Sequence, residues 1–475
     1  MSRTLFDFLL DSFLLDAAHV ESDFESISES ELEHELERYG EYVRTHEMEI
    51  GHEVQPPHRA LSITFDTSIA HQPRISLLKQ CALYYDRAIV DDPLYRESRI
   101  PSDFSRTASE AAGYPPPTLD RRRVAKAASY VMRLGPMVGA DYVKLAPLSA
   151  IHEPPSPPPV TFSPILFSDV LPESLMRWLI ARARVSPLRR LKDGGWGYRT
   201  GDKLRPCRGI CIEFEDYDHP WIYHLFESRL IDADDESRII RYAHTLPDTP
   251  PDRSQFVAWV AQSINQASAA TVRRVSDSLV QAGRRGASLL TTSGFVSDLL
   301  RVQLGARSGS EEQVGELALR LSLPVLDALS VEQLMRIRQC EGEAFAAFRV
   351  SLERDLRELR HIDDEDQQRR RLKDVEHELA IQVRDVERTV KRLRKRMELD
   401  LIAGAASLMA LLPSQGLSLA TLIMSGVEAF RSYQDRTDVA KNHPGYFLWK
   451  LETETQCRAC AKVRTPTNAG CCSRR

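Results

Sequence analysis

The clearest pattern along the chain is a recurrence of apolar residues every three or four positions in its C-terminal half, which is typical of one face of an α-helix. This spacing predicts a helix over residues 330–359, with Ser330 as its N-cap and Gln333 completing a capping box. It predicts a second, charge-dense helix from about residue 363 to residue 397. Acidic residues occupy the first turn of that helix and basic residues its last turns, the polarity that the helix dipole favours.

The end of this second helix has heptad spacing. Its apolar positions alternate between intervals of four and three, at Leu379, Val383, Val386, Val390, Leu393 and Met397. They fit alternate d and a positions of a coiled coil but cover fewer than three heptads. An intramolecular antiparallel hairpin and an oligomeric coiled coil are therefore equally compatible with the pattern.

A nearly uncharged segment follows over residues 401–427, interrupted by the sequence Pro-Ser-Gln-Gly at 413–416. Each limb is shorter than the roughly 20 apolar residues that cross a bilayer. The pattern predicts two short helices that pack together in the core. Because six basic residues between Arg388 and Arg396 come directly before it, insertion of this apolar hairpin into a membrane is the alternative.

Short β-branched runs alternate with helical spacing between residues 60 and 150. Helices are predicted at residues 75–85 and 120–134, and strands at 88–90 and 142–145, which together indicate a small α/β domain. Farther along, strict alternation predicts a strand over residues 209–215, and a helical region follows Pro251.

The predicted fold class is mostly α with a small α/β portion, an α+β multidomain protein ending in a helical hairpin with a short coiled-coil segment. Six prolines between Pro154 and Pro164 favour an extended linker. The predicted divisions are an N-terminal helical and small α/β domain (1–150), a Pro-rich linker (151–164), a mixed α/β middle domain (165–322), a helical hairpin plus apolar helix pair (323–452) and a Cys-containing tail (453–475).

Composition narrows the class of protein. Hydrophobic residues make up 42% of the chain and charged residues 28%, which excludes a disordered or wholly membrane-embedded protein. The net charge of −5 gives no overall bias toward nucleic acid. Asp7, Asp11 and Asp16 interrupt the apolar N-terminal run, so we expect an amphipathic helix there rather than an export signal, and a cytoplasmic location.

One local charge pattern departs from this average. Nine basic residues lie between Arg182 and Arg208, with two aromatic residues among them. Cations that neutralise phosphates and aromatic rings that stack on bases are what single-stranded nucleic acid requires. The candidate contacts are Arg189, Arg190, Lys192, Trp196 and Tyr198. The alternative is that these arginines pair with acidic residues elsewhere in the fold.

Four cysteines crowd the tail, at Cys457, Cys460, Cys471 and Cys472. The first pair has the two-residue gap that lets two thiolates hold one zinc ion, whereas the second pair is adjacent, so a zinc site here would be irregular. A polar tail with free thiols is the alternative. The chain contains no phosphate-binding loop, no His-Glu-x-x-His and no Gly-x-Ser-x-Gly, so we predict no cofactor-binding residue and no particular reaction.

Two acidic clusters could hold a divalent cation. The first is Asp86, Asp91 and Asp92 around a predicted strand, and the second contains Glu213, Glu215, Asp216, Asp218 and His219. Each also has a simpler explanation, because acidic residues are common in surface turns and on exposed strand faces.

Three functions are compatible with these patterns. The leading hypothesis is a non-enzymatic interaction or scaffold protein that binds a protein partner, or itself, through the C-terminal helices. The second is a nucleic-acid-acting effector of bacterial toxin or defence type. The third is a membrane-acting effector that uses the apolar hairpin at 401–427.

Overall fold

The structure is a computed structural model. It describes residues 4–56, 60–66, 72–98, 119–148, 162–192, 196–234, 239–303, 317–318, 321, 323, 325–359, 362, 364, 366–384, 388 and 445–453. The chain forms two compact units. The first contains Met1–Pro73 and Asp86–Arg307, and the second contains Arg74–Tyr85 and Ser308–Arg475.

Within the described residues, the strands and helices are numbered in chain order. The strands are β1 (Ser62–Phe65), β2 (Arg87–Asp91), β3 (Val143–Ala146), β4 (Ala183–Pro187), β5 (Arg189–Arg190), β6 (Trp196–Gly197), β7 (Gly209–Phe214), β8 (Tyr217–His224), β9 (Glu227–Asp234), β10 (Ile239–Thr245) and β11 (Ser288–Leu290). The helices are α1 (Thr4–Asp11), α2 (Ala17–Glu21), α3 (Glu29–Thr45), α4 (Glu47–Val54), α5 (Ile75–Cys81), α6 (Pro93–Glu97), α7 (Arg121–Gly139), α8 (Glu173–Ile180), α9 (Arg253–Arg284), α10 (Gly294–Asp298), α11 (Val325–Ala328), α12 (Val331–Cys340), α13 (Gly342–Arg357), α14 (residues 366–384) and α15 (residues 446–453).

A four-stranded parallel sheet lies in the first unit, with strand order β11-β1-β2-β3. The residues of β1, β2 and β3 are all buried, including the charged Arg87, Asp91 and Lys144, as expected for a parallel sheet, whose two faces are normally covered. The predicted α/β portion and its strands at 88–90 and 142–145 are therefore confirmed. The sheet also includes β11, which lies in the segment 165–322 that was predicted to form the middle domain.

An antiparallel sheet, β4-β7-β8, forms the second β layer of the first unit. Alternation along β7 places Ile210, Ile212 and Phe214 in a core with Phe256 and Trp259 of α9. This core holds the inner face of the sheet against the long helix. The outer face, which carries Cys211 and Glu213, is where the basic segment lies.

The second unit is helical in its described residues. Helix α12 begins after Ser330, whose capping box with Gln333 is present as predicted. The single helix predicted over 330–359 is wrong, because it breaks at Glu341 into α12 and α13. The next residue is Gly342, and glycine disfavours a continuous helix interior.

Two of the heptad positions lie in α14, where Leu379 and Val383 are both buried. Phe447 of α15 stacks on Phe348 at 5.7 Å between ring centroids and packs against Phe345 at 5.2 Å. The later heptad positions, the apolar hairpin at 401–427 and the cysteine tail lie outside the described residues. In the ranges that the structure describes, no helix is both long enough and apolar enough to cross a membrane.

The mixed α+β class is confirmed by these helices and small sheets. The finer prediction of a C-terminal hairpin with a coiled-coil segment falls mainly on residues outside the description. The predicted domain divisions stay predictions, and most of the Pro-rich linker also lies outside the described ranges.

Candidate nucleic-acid interface

Residues 189–192 and 196–205, here called the basic ribbon, begin with a short antiparallel pair of strands. Arg189 of β5 pairs with Gly197 of β6, and Arg190 pairs with Trp196. A Cβ atom at Gly197 would lie 3.2 Å from the side chain of Leu191, which is exposed.

One end of the ribbon is anchored to the antiparallel sheet. The Leu188 amide donates a hydrogen bond to the Gly209 carbonyl oxygen at 2.8 Å, and the Leu188 side chain is buried. A Cβ atom at Gly209 would lie 2.9 Å from the Leu188 side chain and 3.0 Å from His224 Nδ1. Because no side chain fits there, Gly209 lets Leu188 dock directly on β7.

Glu213 of β7 anchors the ribbon again farther along. Its Oε1 accepts a hydrogen bond from the Tyr198 hydroxyl at 3.0 Å, and its Oε2 accepts one from the Thr200 hydroxyl at 3.0 Å. The two oxygens of one carboxylate therefore fix residues 198–200 against the outer face of the sheet. Glu213 was predicted as a candidate metal ligand, but in the structure it positions this segment.

Exposed cations crowd the basic ribbon. They are Arg189, Arg190, Lys192, Arg199, Lys203 and Arg205. Arg189 forms an ion pair with Asp202 at 2.8 Å. The four cations from Lys192 onward have no carboxylate within ion-pair distance anywhere in the described part of the chain. The expectation that these residues pair with acids elsewhere therefore holds for Arg189 and, outside the ribbon, for Arg184 with Glu215 at 3.2 Å.

The aromatic residues of the ribbon are ordered by neighbouring side chains. The Arg190 guanidinium carbon lies 5.6 Å from the Trp196 ring centroid, and the His224 ring meets Trp196 edge-on at 5.1 Å. Trp196 is half-buried, and Tyr198 keeps 36% of its surface exposed. All five residues proposed from the sequence thus lie in one segment, with both rings partly open to solvent.

Two titratable groups beneath the ribbon, the Cys211 thiol and the His224 imidazole, are uncharged at neutral pH. Burial raises the pKa of the Cys211 thiol to about 11, with the nearby Glu213 charge adding to the shift, and burial lowers the pKa of His224 to about 4. A thiolate nucleophile paired with an imidazolium is therefore disfavoured here. The positive charge of the site comes from arginine and lysine side chains alone.

The first acidic cluster separates into individual structural roles. Asp86 accepts a hydrogen bond from the Leu61 amide at 2.9 Å, and Asp91 forms an ion pair with Arg96 at 2.5 Å. Asp92 caps α6 by accepting from the amides of Leu94 and Tyr95, and it also accepts from the Tyr39 hydroxyl. Burial raises the pKa of Asp92 to about 6, although these hydrogen bonds favour the carboxylate.

The second acidic cluster is also dispersed. Glu215 pairs with Arg184, and Asp216 accepts a hydrogen bond from the Gly294 amide at 2.5 Å. Asp216 has a φ of 58°, the left-handed conformation that aspartate tolerates in turns, and it links the β7–β8 turn to the start of α10. Among the residues that the structure describes, no three His, Cys, Asp or Glu side chains form a group that could hold a metal ion.

One buried acid, Asp66, was not predicted from the sequence, because the strand before it, β1, was not predicted. Asp66 follows that strand directly and is 3% exposed, and its amide donates to the Leu290 carbonyl oxygen of β11 at 3.0 Å. This is the carboxyl edge of the parallel sheet, where α/β proteins commonly bind ligands. The alternation of Ser62, Ile63, Thr64 and Phe65 was the signal that could have found it.

The four tail cysteines of the zinc hypothesis lie outside the described residues, so that hypothesis stays a prediction. Comparison of the chain with protein families, with curated proteins and with solved structures gives no match.

Proposed function

We propose that this protein binds nucleic acid through the basic ribbon. The observation that carries the proposal is a set of four exposed cations, Lys192, Arg199, Lys203 and Arg205, which have no carboxylate partner among the residues that the structure describes. They lie on the same anchored segment as Trp196 and Tyr198. Solvated cations that are not paired within the protein are available to phosphate groups, and their binding releases the counterions of the nucleic acid.

The charge of the rest of the chain shapes how this binding would behave. The net charge is −5, so the ribbon is a local basic site on an acidic protein. Repulsion from the remaining surface opposes non-specific association with long polyanions. We therefore expect binding that is confined to the ribbon and that weakens steeply as salt concentration rises.

Fluorescence anisotropy of labelled RNA and DNA oligonucleotides across a salt series tests the proposal. The double variant Arg199→Glu/Lys203→Glu should weaken binding by roughly tenfold or more, because two phosphate contacts become repulsive. The matched control is Lys126→Glu/Arg253→Glu, which makes the same charge change at exposed helix positions far from the ribbon in sequence. Equal affinity of the two double variants, or no binding by the unmodified protein at low salt, would contradict the proposal.

Two other functions suggested by the sequence remain weaker proposals. Association through the C-terminal helices rests on the heptad spacing, and Leu379 and Val383 are already buried within the chain. Light scattering of the full chain tests it, since a monomer at high concentration would count against self-association.

Membrane action through residues 401–427 is tested by flotation with anionic liposomes. We also propose that the protein binds nucleic acid in the cytoplasm.

A further inference from the structure

We infer that the basic ribbon takes single-stranded rather than duplex nucleic acid, with unpaired bases stacked on Trp196 and Tyr198. The inference rests on the proposed function and specifies its ligand. It follows from how the two rings are held and from the cation that lies next to one of them.

The two rings are held in place from beneath, which favours stacking. Trp196 meets His224 of β8 edge-on, and the Tyr198 hydroxyl is fixed by Glu213 of β7. Residues two apart on an extended segment point to the same side, so both rings lean on the outer face of one sheet. Because their orientation is set before binding, a base that stacks on them costs little additional ordering of the protein.

The Arg190 contact with Trp196 is loose. At 5.6 Å from the ring centroid, its guanidinium is near the outer limit of a cation–π contact. The guanidinium plane is itself a surface on which a base can stack, and its charge can reach a phosphate instead. Arg190 and Trp196 therefore supply a cation and a π-face to the same nucleotide.

Stacking on these rings selects unpaired bases. In a duplex each base is already paired and stacked between its neighbours, so its faces are not open to Trp196 or Tyr198.

Three oligonucleotides of one sequence test the inference by anisotropy with the full chain: the single strand, its duplex, and the single strand with abasic sites in place of its central bases. We expect the single strand to bind about tenfold more tightly than either the duplex or the abasic strand, because stacking is lost in both. Trp196→Leu should remove most of the difference between intact and abasic strands. Trp196→Phe should retain it, and Trp449→Leu, which removes a half-buried indole of the second unit, should leave it unchanged.

The outcomes separate the inference from the proposed function. If the duplex binds as tightly as the single strand, or if abasic sites have no effect, the inference is overturned while nucleic-acid binding stands. If none of the three oligonucleotides binds at low salt, both are overturned. The comparison of intact and abasic strands uses the unmodified protein, so it remains decisive even if Trp196→Leu does not fold.

Discussion

At the scale of single residues, Asp202 is the side chain that most directly opposes the proposed function. Its Oδ2 is buried and lies 2.8 Å from Arg189 Nη2. The angles of this contact are nevertheless too poor for a hydrogen bond. The contact therefore depends on charge more than on directed bonding. A phosphate offers several acceptor oxygens to the same guanidinium and would compete with Asp202 for it.

We predict that Asp202→Asn raises the affinity for single-stranded nucleic acid several-fold, because Arg189 loses its competing carboxylate. Arg189→Gln should act in the opposite direction and lower the affinity. Anisotropy titrations at one fixed salt concentration measure both. A weaker complex with Asp202→Asn would mean that the ion pair is needed to position Arg189. That result would contradict the prediction that Asp202 competes with phosphate for Arg189.

At the scale of elements, the helices of the second unit are joined by a buried cation on α5. Lys79 is 8% exposed, and its ammonium group donates to the carbonyl oxygens of Leu326 and, at 3.0 Å, Leu329. These carbonyls lie at the C-terminal end of α11, where helix carbonyls lack intrahelical partners and where a positive charge is favourable. Lys79 thus satisfies acceptors that would otherwise be buried without a donor.

We expect Lys79→Met to lower the free energy of unfolding by about 2 kcal/mol, because two buried carbonyl groups lose their charged donor. Urea unfolding followed by circular dichroism measures the change. Arg74→Met is the matched control, since Arg74 is exposed just before the same helix and should change stability by less than about 0.5 kcal/mol. Equal effects of the two substitutions would show that the buried ammonium contributes no more than a surface charge.

At the scale of the whole molecule, two buried groups of the first unit give opposite pH dependences. Burial raises the pKa of Asp92 from its ordinary 3.8 to about 6, so Asp92 contributes stability at low pH that is lost as pH rises to 6. Burial lowers the pKa of His224 from its ordinary 6.5 to about 4, so His224 contributes stability above pH 6.5 that is lost as pH falls to 4. The two contributions largely cancel over the same range.

The prediction is that single substitutions uncover this cancellation. Asn can still cap α6 in Asp92→Asn, so this variant keeps only the His224 contribution, and its free energy of unfolding should increase as pH rises from 4 to 6.5. His224→Gln keeps only the Asp92 contribution, and its free energy of unfolding should decrease as pH rises over the same range. Each difference should be on the order of 3 kcal/mol, from shifts of about two pKa units. Urea unfolding at a series of pH values measures them, and parallel profiles for all three proteins would contradict the assignment.

Local sequence determined the features that depend on near neighbours. Ser28 with Glu31 and Ser330 with Gln333 form capping boxes because cap and partner lie three residues apart on the chain. The strand at β7 follows from alternation in the same way. The charge and the aromatic residues of the basic ribbon were likewise visible, because they lie within one short stretch of sequence.

Tertiary structure decided everything that depends on contacts between distant segments. The short strands β1 and β11 pair with each other across more than 200 residues, so local sequence alone does not place them side by side in one sheet. The partner of each carboxylate likewise depends on contacts between distant segments. Glu213 fixes Tyr198, Asp92 binds Tyr39, and Asp202 holds Arg189, whereas spacing alone had grouped some of these acids as metal ligands. Sequence sets which charges are present, but only the fold sets which of them remain unpaired for a ligand.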